Sequence, residues 1–371
     1  MKQIPVITDL HMGARGDSSV VYEIQERFFR DVFWPALDAH GGVDEMLLLG
    51  DVSDRRKFCS YAMLDFAKRV FFDPAAERDI RIHWTLGNHD LPMKNSTNLS
   101  SHIAFQEYLN VILYRTATVV EFDGVETLMM PWLCEENRAA SQATFDSFTG
   151  AVIAGHLEFL GFEMYRGIVS QEGVSTAAFA PFKLVMSGHF HHRSTTGNIH
   201  YLGAPYEMTW SDHDDLRGFH WWTPQEHRLD PVNNPHALFY EFIYNDDGQP
   251  ADYVKNLLSI IRQANVSQKI VKIVIRRKTQ PLWFETFMDA VLKIGAYDIQ
   301  FVDETAWSTD DTQAPSEGEG EDPATMDTLT MIYRYVAGLP WANTDIQRDV
   351  TKTLAELYQE AADTAKNIGR G

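Results

Sequence analysis

The sequence predicts a layered α/β/α fold, and three observations support this prediction. Five short apolar runs in the first 220 residues each end in a polar cluster rich in Asp, His, Asn and Gly. Longer amphipathic stretches separate these runs, as helices separate the strands of a parallel sheet. The chain has 371 residues, of which 44% are hydrophobic, so it can bury the core that such layers require.

The five apolar runs are typical of strands that are buried on both faces, because each is short and almost continuously apolar. In chain order, these predicted strands are residues 4–8, 46–49, 80–86, 151–154 and 184–187. Residues 22–37 and 61–72 have the apolar spacing of amphipathic helices. Residues 119–122 and 125–129 flank Asp123-Gly124 in the pattern of a β-hairpin. Functional groups collect beyond the carboxyl ends of parallel strands, so we expect the five polar clusters to meet.

A smaller α/β unit is predicted after a turn-rich break at residues 230–235. Its pattern alternates strand, helix, strand, helix and strand over residues 237–243, 252–263, 269–277, 282–294 and 297–302. The middle strand is expected to alternate between apolar and polar positions. We therefore place a first domain at residues 1–228 and a second at residues 229–303.

The C-terminal part of the chain differs from these two domains in composition. Residues 303–327 contain nine acidic residues and no Lys or Arg, which indicates a flexible acidic linker, placed at 304–327. The remaining residues, 328–371, are predicted to be helical, over 328–336 and 344–368. Thr344 and Gln347 predict a capping box at the start of the second helix.

Composition and charge exclude several classes of protein. The two cysteines, Cys59 and Cys134, form no CxxC pair, which excludes a disulfide scaffold and a zinc ribbon and suits a reducing cytosol. No apolar run is long enough to span a membrane, and Asp9 and His11 interrupt any signal peptide, so we expect a cytoplasmic protein. No P-loop motif occurs. The net charge of −20 argues against a passive DNA-coating protein, but not against an enzyme that holds nucleic acid through metal ions.

The polar clusters together supply ligands for two divalent cations. Each cluster alone is a weak signal, because surface loops often contain Asp-x-His, Gly-Asp or a single His. Together they contain two Asp, one Asn and four His of ligand type, with one further His, and two ions about 3.5–4 Å apart need roughly this set. Mixed imidazole and oxygen ligands suit Mn, Fe or Zn better than Mg or Ca. The alternative is that these groups only make the strand ends soluble.

The same clusters resemble the motifs of the calcineurin-like metallophosphoesterases. The matching segments are Asp9-Leu10-His11-Met12-Gly13, Gly50-Asp51-Val52-Ser53-Asp54, Gly87-Asn88-His89-Asp90, Gly155-His156 and Gly188-His189-Phe190-His191. Within this family, the chain is most similar to the SbcD-type DNA repair nucleases and their bacteriophage recombination counterparts. The resemblance implies a metallophosphoesterase sandwich at residues 1–228 and a capping domain at 229–303. It implies a partner-binding segment at 328–371, and these later matches rest only on order and length.

The resemblance also implies a role for each motif residue. One ion would be held by Asp9, His11, Asp51 and His191, and the other by Asp51, Asn88, His156 and His189, with Asp51 bridging. The ions would activate water for in-line attack on phosphorus, and His89 would protonate the leaving 3′ oxygen. Asp90 either orients His89 or holds the turn. Some relatives have His at the position of Asp54, so the role of Asp54 stays open.

The resemblance implies a Mn-dependent DNA nuclease with 3′→5′ exonuclease and single-strand endonuclease activity in recombination and double-strand-break repair. Its cofactors would be two Mn²⁺ ions, with Mg, Fe or Zn as alternatives. It would act as a homodimer with an SMC-like coiled-coil ATPase that binds the C-terminal helices, in the host cytoplasm if the protein is viral. The short chain favours a phage protein. A phosphatase or small-molecule phosphodiesterase of the same superfamily, or a non-catalytic scaffold, are the alternatives.

Five basic residues follow the metal motifs and either contact DNA phosphates or are ordinary solvated loop charges. They are Arg55, Arg56, Lys57, Lys94 and Arg193. The aromatic pair Trp221-Trp222 is expected in the core and not in a base-stacking surface.

Overall fold

The computed structural model describes residues 2–165, 168–263, 266–293, 295–304, 336, 346–355 and 357–358. The chain divides into two compact units, Met1–Ser308 and Thr309–Gly371. Residues 346–355 are helical, within the predicted second C-terminal helix. The predicted linker beyond Glu304, the capping box at Thr344 and most of the predicted C-terminal helices lie outside the described residues.

The described part of the first unit contains seventeen strands and eight α-helices, numbered here in chain order. The strands are β1 (Ile4–Ile7), β2 (Glu45–Leu48), β3 (Arg81–Thr85), β4 (Val111–Tyr114), β5 (Thr118–Phe122), β6 (Val125–Met130), β7 (Val152–His156), β8 (Glu163–Tyr165), β9 (Ile168–Val169), β10 (Leu184–Gly188), β11 (Ser194–Thr196), β12 (Ile199–Tyr201), β13 (Gly218–Thr223), β14 (Arg228–Asn233), β15 (Phe239–Asn245), β16 (Ile270–Arg277) and β17 (Asp298–Asp303). The helices are α1 (Ala14–Asp17), α2 (Ser19–Phe28), α3 (Trp34–Ala39), α4 (Tyr61–Ala67), α5 (Asp73–Glu77), α6 (Glu135–Ser147), α7 (Tyr253–Gln263) and α8 (Pro281–Leu292).

Two six-stranded sheets form the centre of the first domain. Sheet one has the order β14-β13-β1-β2-β3-β4, and sheet two has the order β11-β12-β10-β7-β6-β5. Strands β1 to β4 are parallel to one another, as are β6, β7, β10 and β12. The predicted hairpin is confirmed, because β5 and β6 pair antiparallel around Asp123-Gly124. The parallel strands of each sheet therefore end at a common edge.

The two sheets pack face to face through alternate side chains of the apolar runs. On β2 and just beyond it, Leu47 and Leu49 face sheet two, where they share a core with Met129 and Met186. Met46 and Leu48 lie in the core on the opposite, helix-covered side of sheet one. Because successive side chains of a strand point to opposite faces, a strand buried on both faces must be apolar throughout.

Helices cover the outer faces of both sheets. Segments α2 and α3 continue through a π-helical stretch, Phe29–Phe33, and α4 and α5 continue through Lys68–Phe72. These two long helices contain the predicted ones and pack on sheet one, with Phe28 and Phe71 fully buried. Helix α6 contributes Phe145 to the core on the outer face of sheet two. The α/β class is confirmed, although the sequence did not predict that the strands divide between two sheets.

The turn-rich segment at residues 230–235, which was predicted to separate the two domains, begins inside a strand. Strand β14 pairs with β13 as far as Asn233, with Pro231 opposite His220. Pro231 is tolerated because β14 is the last strand of sheet one, where its missing N–H is not needed by another strand. The Asp, Asn and Pro residues that indicated a turn therefore lie at a sheet edge, and sheet one extends beyond residue 228.

A small three-stranded parallel sheet, β15-β16-β17, follows sheet one and is covered by α7 and α8. All five elements predicted after residue 236 are present. The alternating pattern predicted for β16 is wrong, because residues 270–275 of this central strand are all buried. Among them, Lys272 places its Nζ atom 4.1 Å from the ring centroid of Trp210. None of the helices in the described part of the chain combines the length and apolar character that a membrane span requires.

Candidate metal centre

The structure brings the five polar clusters together at the carboxyl edges of the two sheets. Sheet one supplies the residues after β1, β2 and β3, and sheet two supplies those at the ends of β7 and β10. The loops also bind one another, because the N–H of Asp9 donates to the carbonyl of Gly50 at 3.1 Å and that of His11 to the carbonyl of Asp51 at 2.9 Å. All seven predicted metal ligands lie in this cluster, namely Asp9, His11, Asp51, Asn88, His156, His189 and His191.

One group of potential ligands consists of Asp9, His11 and His191, whose ligand atoms all lie within 4.8 Å of one another. The Nε2 atoms of His11 and His191 are 3.0 Å apart. Oδ2 of Asp51 lies 3.5 Å from Nε2 of His11. Two imidazole nitrogens and two carboxylates that converge in this way match the donor set of a transition-metal site.

A second group consists of Asp51, His156 and His189, again with ligand atoms within 4.8 Å of one another. Oδ2 of Asp51 lies 3.4 Å from Nε2 of His156. Asp51 is therefore adjacent to both groups, which is the place predicted for the bridging carboxylate.

The amide of Asn88 lies between the two histidines of the second group. Its Oδ1 atom is 3.0 Å from Nε2 of His156 and 3.0 Å from Nδ1 of His189. If the amide is turned over, its nitrogen donates to both imidazoles and its oxygen accepts from Nη2 of Arg56 at 2.7 Å. The first orientation directs three electron-pair donors toward one point, as a cation requires, and the second satisfies the amide by hydrogen bonds alone. The residues present therefore fit a metal ion.

Four of the seven predicted ligands have backbone conformations that L-amino acids rarely adopt. The φ angles are 54° at Asp9, 40° at His11, 53° at Asp51 and 97° at His189. Left-handed backbone at residues other than Gly is strained and collects at functional sites, where surrounding contacts hold it. The sequence carried no signal of this strain.

Glycines precede several ligands because the loops approach one another closely. A Cβ atom on Gly87 would lie 2.2 Å from Oδ1 of Asp51, and one on Gly188 would lie 2.0 Å from Oγ1 of Thr8. No side chain fits at these distances. Gly87 therefore permits the contact between the loops after β2 and β3 of sheet one, and Gly188 permits the contact between the two sheets.

Asp90 lies beneath the metal centre and binds the backbone. Its buried carboxylate accepts the N–H groups of Asp51 at 2.9 Å, Val52 at 3.1 Å and Gly87 at 2.9 Å, and the hydroxyl of Ser101 at 2.8 Å. Burial and the negative charge of Asp51 raise the pKa of Asp90. These contacts favour the alternative in which Asp90 holds the turn.

His89 is half-buried at the edge of the same cluster. Its backbone N–H donates to Oδ1 of Asp51 at 2.7 Å, and its Nδ1 atom lies 2.5 Å from the carbonyl oxygen of Asp54. Because that carbonyl can only accept, it fixes the proton on Nδ1 and leaves Nε2 for the cavity. The side chain of Asp54 contacts a different histidine, because its Oδ1 atom lies 3.3 Å from Nδ1 of His11. Asp54 thus contacts both His89 and His11, whereas its role could not be decided from the sequence.

Burial and charge act against each other in the pKa values of the site. Burial lowers the pKa of His156, but the charge of Asp51 outweighs it and raises this pKa to about 9. For His11, burial is likewise outweighed by the carboxylates of Asp54 and Asp51, and the pKa is again raised to about 9. Burial and the charge of His156 lower the pKa of His189 to about 3. Without a metal ion, the protons on His11 and His156 therefore supply part of the positive charge that balances the carboxylates of the cluster.

A cavity of about 350 Å³ opens beside the two ligand groups. Its lining also includes residues that lie outside the metal motifs, namely Ala14, Arg15, Met164, Met208 and Thr209. Arg15 is a candidate phosphate contact that we did not predict from the sequence. It follows the first metal motif and lies with its guanidinium carbon 5.7 Å from the ring centroid of Phe239.

The five basic residues proposed as DNA contacts have different surroundings. Arg56 donates to Asn88 only when that amide is turned over, and Lys57 and Lys94 are exposed. Arg55 lies 3.8 Å from a carboxylate oxygen of Asp17. Arg193 is half-buried and donates to Oδ1 of Asn233 at 2.8 Å, a contact that suits a structural role better than binding DNA.

Arg217 supports the loop that carries two of the predicted ligands, a role that no sequence pattern indicated. It is buried, and its Nη1 atom donates to the carbonyl oxygen of His191. Nη2 donates to Asp212 at 3.1 Å and to Asp215 at 2.9 Å. The two carboxylates neutralise the guanidinium and fix its direction, so the position of the His191 backbone depends on it.

Comparison with known proteins agrees with this geometry. The family model for the calcineurin-like phosphoesterases matches residues 3–230. Exonuclease subunit 1 of Enterobacteria phage T4 is 30% identical over 228 residues. The match spans 61% of this chain and 66% of that protein, slightly less than two thirds of its length.

Two solved structures are also similar to parts of the chain. A novel archaeal phosphodiesterase is 12% identical, with a TM-score of 0.31, over 63% of this chain and 100% of that one. A protein of unknown function from Aquifex aeolicus is 15% identical, with a TM-score of 0.27, over 53% of this chain and 82% of that one.

Proposed function

The chain belongs to the calcineurin-like phosphoesterases, and from this we propose that it is a Mn-dependent DNA nuclease that hydrolyses phosphodiesters with two metal ions. The observation that carries the proposal is the position of Asp51, whose carboxylate is adjacent to both ligand groups and accepts the N–H of His89. DNA as substrate is supported by the similarity to an exonuclease subunit. We propose both 3′→5′ exonuclease and single-strand endonuclease activity, in the cytoplasm, or in the host cytoplasm if the protein is viral.

The donor set of imidazoles, carboxylates and one amide favours Mn, Fe or Zn over Mg. We propose that Asp9, His11, Asp51 and His191 hold one ion, and that Asp51, Asn88, His156 and His189 hold the other. When bound, the two ions supply Lewis acidity to the phosphoryl group and to the attacking water. The low pKa of His189 keeps its imidazole neutral at physiological pH, as ligation requires.

His89 is the proposed proton donor. The carbonyl of Asp54 holds its Nδ1–H, so its Nε2 is the atom directed at the cavity. In the protonated ring, Nε2–H donates to the 3′ oxygen as the phosphorus–oxygen bond breaks. Asp90 takes no part in this transfer, and its proposed role is to hold the Asp51 and Gly87 backbone in place. Arg15 and Arg56 are the proposed contacts of the flanking phosphates.

The proposal extends to partners. By the resemblance of the motifs, we propose that the protein works as a homodimer with an SMC-like ATPase, which binds residues 328–371. Light scattering of the purified chain tests the dimer, and co-purification with the ATPase tests the partner.

A single assay separates this function from its alternatives. Purified protein with Mn²⁺ is incubated with 5′-labelled single-stranded DNA, with bis-p-nitrophenyl phosphate and with p-nitrophenyl phosphate, and a chelator serves as the control. We expect cleavage of the DNA, and shortening from the 3′ end, only with metal. Hydrolysis of the phosphomonoester alone would indicate a phosphatase, hydrolysis of small diesters without DNA cleavage would indicate a small-molecule phosphodiesterase, and no hydrolysis would indicate a scaffold.

A further inference from the structure

A second cavity, of about 270 Å³, lies against the metal centre. We propose that it is a nucleobase subsite in which Trp132 stacks on one base of a single-stranded DNA substrate. This inference rests on the proposed nuclease function and adds to it a residue that selects the substrate.

Trp132 lies between this cavity and the proposed metal ligands of the second group. Trp132 lies just beyond β6, and its backbone N–H donates to the carbonyl of Leu86 at 2.7 Å, which joins sheet two to the end of β3. The centroid of its ring lies 4.9 Å from that of His189 and 6.1 Å from that of His156. A base that stacks on this ring is therefore next to the second ligand group.

The burial of Trp132 differs from that of the structural tryptophans. Trp84 and Trp222 are fully buried within the apolar cores of sheet one and of the sheet interface. Trp132 is half-buried, lines a cavity, and has histidine rings as neighbours. Proteins commonly hold unpaired bases by stacking them on an accessible aromatic ring. Trp132 offers such a ring beside the candidate metal centre.

Two charged residues of the same cavity complement a nucleotide. Arg138 is exposed at its rim, where a guanidinium can pair with a backbone phosphate. Glu158 is half-buried in its wall, with Oε1 3.7 Å from Nε2 of His189. An ionised carboxylate can only accept hydrogen bonds, and the exocyclic amines of cytosine and adenine can donate them. The subsite should therefore prefer cytosine and adenine over thymine, whose single N3–H donor is flanked by two carbonyl oxygens that a carboxylate repels.

The test measures binding separately from cleavage. Oligonucleotides with one 2-aminopurine, placed at successive positions, are titrated with the wild-type chain, with Ca²⁺ in place of Mn²⁺ and with substrate integrity checked on a gel. We expect fluorescence quenching at one position only. Trp132→Ala should abolish this quenching and weaken binding about 5- to 150-fold, the range that follows from loss of one base–aromatic stack.

A matched control is available in Trp221, another half-buried tryptophan. Its ring stacks on His40, with centroids 4.5 Å apart, on sheet one. Trp221→Ala should leave the dissociation constant and the quenching unchanged. Metal content by plasma emission and the melting temperature are measured for every variant. If Trp132→Ala loses metal or folds poorly, the comparison of Trp132→Phe with Trp132→Leu tests stacking instead. Phe keeps an aromatic face on which a base can stack, whereas Leu keeps only apolar bulk, so the Phe variant should bind DNA more tightly.

The outcomes separate this inference from the function on which it rests. Unchanged binding by Trp132→Ala, or equal binding by the Phe and Leu variants, overturns the subsite even if DNA is cleaved normally. A wild-type chain that hydrolyses bis-p-nitrophenyl phosphate but neither binds nor cleaves DNA overturns both proposals. Glu158→Gln gives a second readout, since it should reduce the preference for oligo(dC) over oligo(dT), and an unchanged ratio contradicts the role of Glu158.

Discussion

The carboxylate of Asp90 accepts the backbone N–H of Asp51 at 2.9 Å, so a residue next to His89 in the sequence supports the proposed bridging ligand and not the proposed proton donor. This bond joins the loops after β2 and β3 beneath the metal centre. The strained backbone of Asp51, with φ of 53°, is held by it. Asp51 therefore depends on Asp90 for its position, and both ligand groups depend on Asp51.

We predict that Asp51→Asn weakens both metal sites together. The substitution removes the negative charge that lies near Nε2 of His11 and of His156 while it keeps the size of the side chain. Metal content, measured by plasma emission after dialysis, should fall from two ions toward none, and nuclease activity should fall with it. Two bound ions with normal activity in this variant would contradict the bridging assignment.

We predict that His89→Ala keeps both ions but lowers turnover by roughly 10²–10⁴, the usual effect of losing a general acid. His89 contacts the site through its backbone N–H, through the carbonyl of Asp54 and through the ring of His11, with centroids 4.7 Å apart, and alanine keeps the first of these contacts. The loss should be smaller on a p-nitrophenyl ester, whose leaving group needs no proton. A variant that loses metal would show instead that His89 is a ligand.

We predict that metal affinity rises as the pH rises from about 6.5 to 9. Without metal, His11 and His156 have pKa values raised to about 9, so both are protonated at neutral pH. A cation must displace these protons, and affinity should increase by up to about tenfold per pH unit for each proton released. Calorimetric titration in buffers of different ionisation enthalpy measures the protons directly. A pH-independent affinity without proton release would contradict this prediction.

The same pKa shifts predict how the metal-free protein responds to pH. Groups whose folded-state pKa is raised stabilise the fold below their unfolded pKa, near 6.5, and this contribution is lost as the pH rises to about 9. His189 has the opposite shift, to about 3, so its contribution is present above pH 6.5 and is lost as the pH falls toward 3. The contribution of these histidines to stability should therefore be greatest near pH 6.5, and bound metal should remove most of this dependence.

Much of the site was predictable because its chemistry lies in short motifs at strand ends. Asp9, Asp51 and His156 each follow or end an apolar run, and parallel strands bring such positions to one edge. The division into two sheets was not predictable, because a strand such as β2 is apolar on both faces and its sequence does not indicate which strands it faces. Arg217 was missed for a different reason: it holds His191 through a backbone carbonyl, and such a contact leaves no pattern in the sequence.

We predict that Arg217→Met destabilises the protein by about 3–5 kcal/mol, the usual effect of breaking a buried ion pair. The change leaves Asp212 and Asp215 without their buried partner and releases the carbonyl of His191. Arg228→Met is the matched control, because Arg228 pairs with Glu226 and Asp230 at the surface, where loss of an ion pair changes stability by about 1 kcal/mol or less. Urea denaturation gives both values, and equal losses would contradict the proposed role of Arg217.

We predict that deletion of residues 328–371 separates chemistry from partner binding. Residues 346–355 are helical, and Ile346, Val350 and Leu354 recur at the spacing of one helix face, which is typical of a helix that docks against another. The metal ligands and His89 all precede residue 192, so the truncated chain should still cleave single-stranded DNA with Mn²⁺. It should no longer be stimulated by the proposed ATPase on duplex ends, nor co-purify with it. A truncated chain that unfolds, or that binds the ATPase as strongly as the full chain, would indicate that this helix packs on the protein itself.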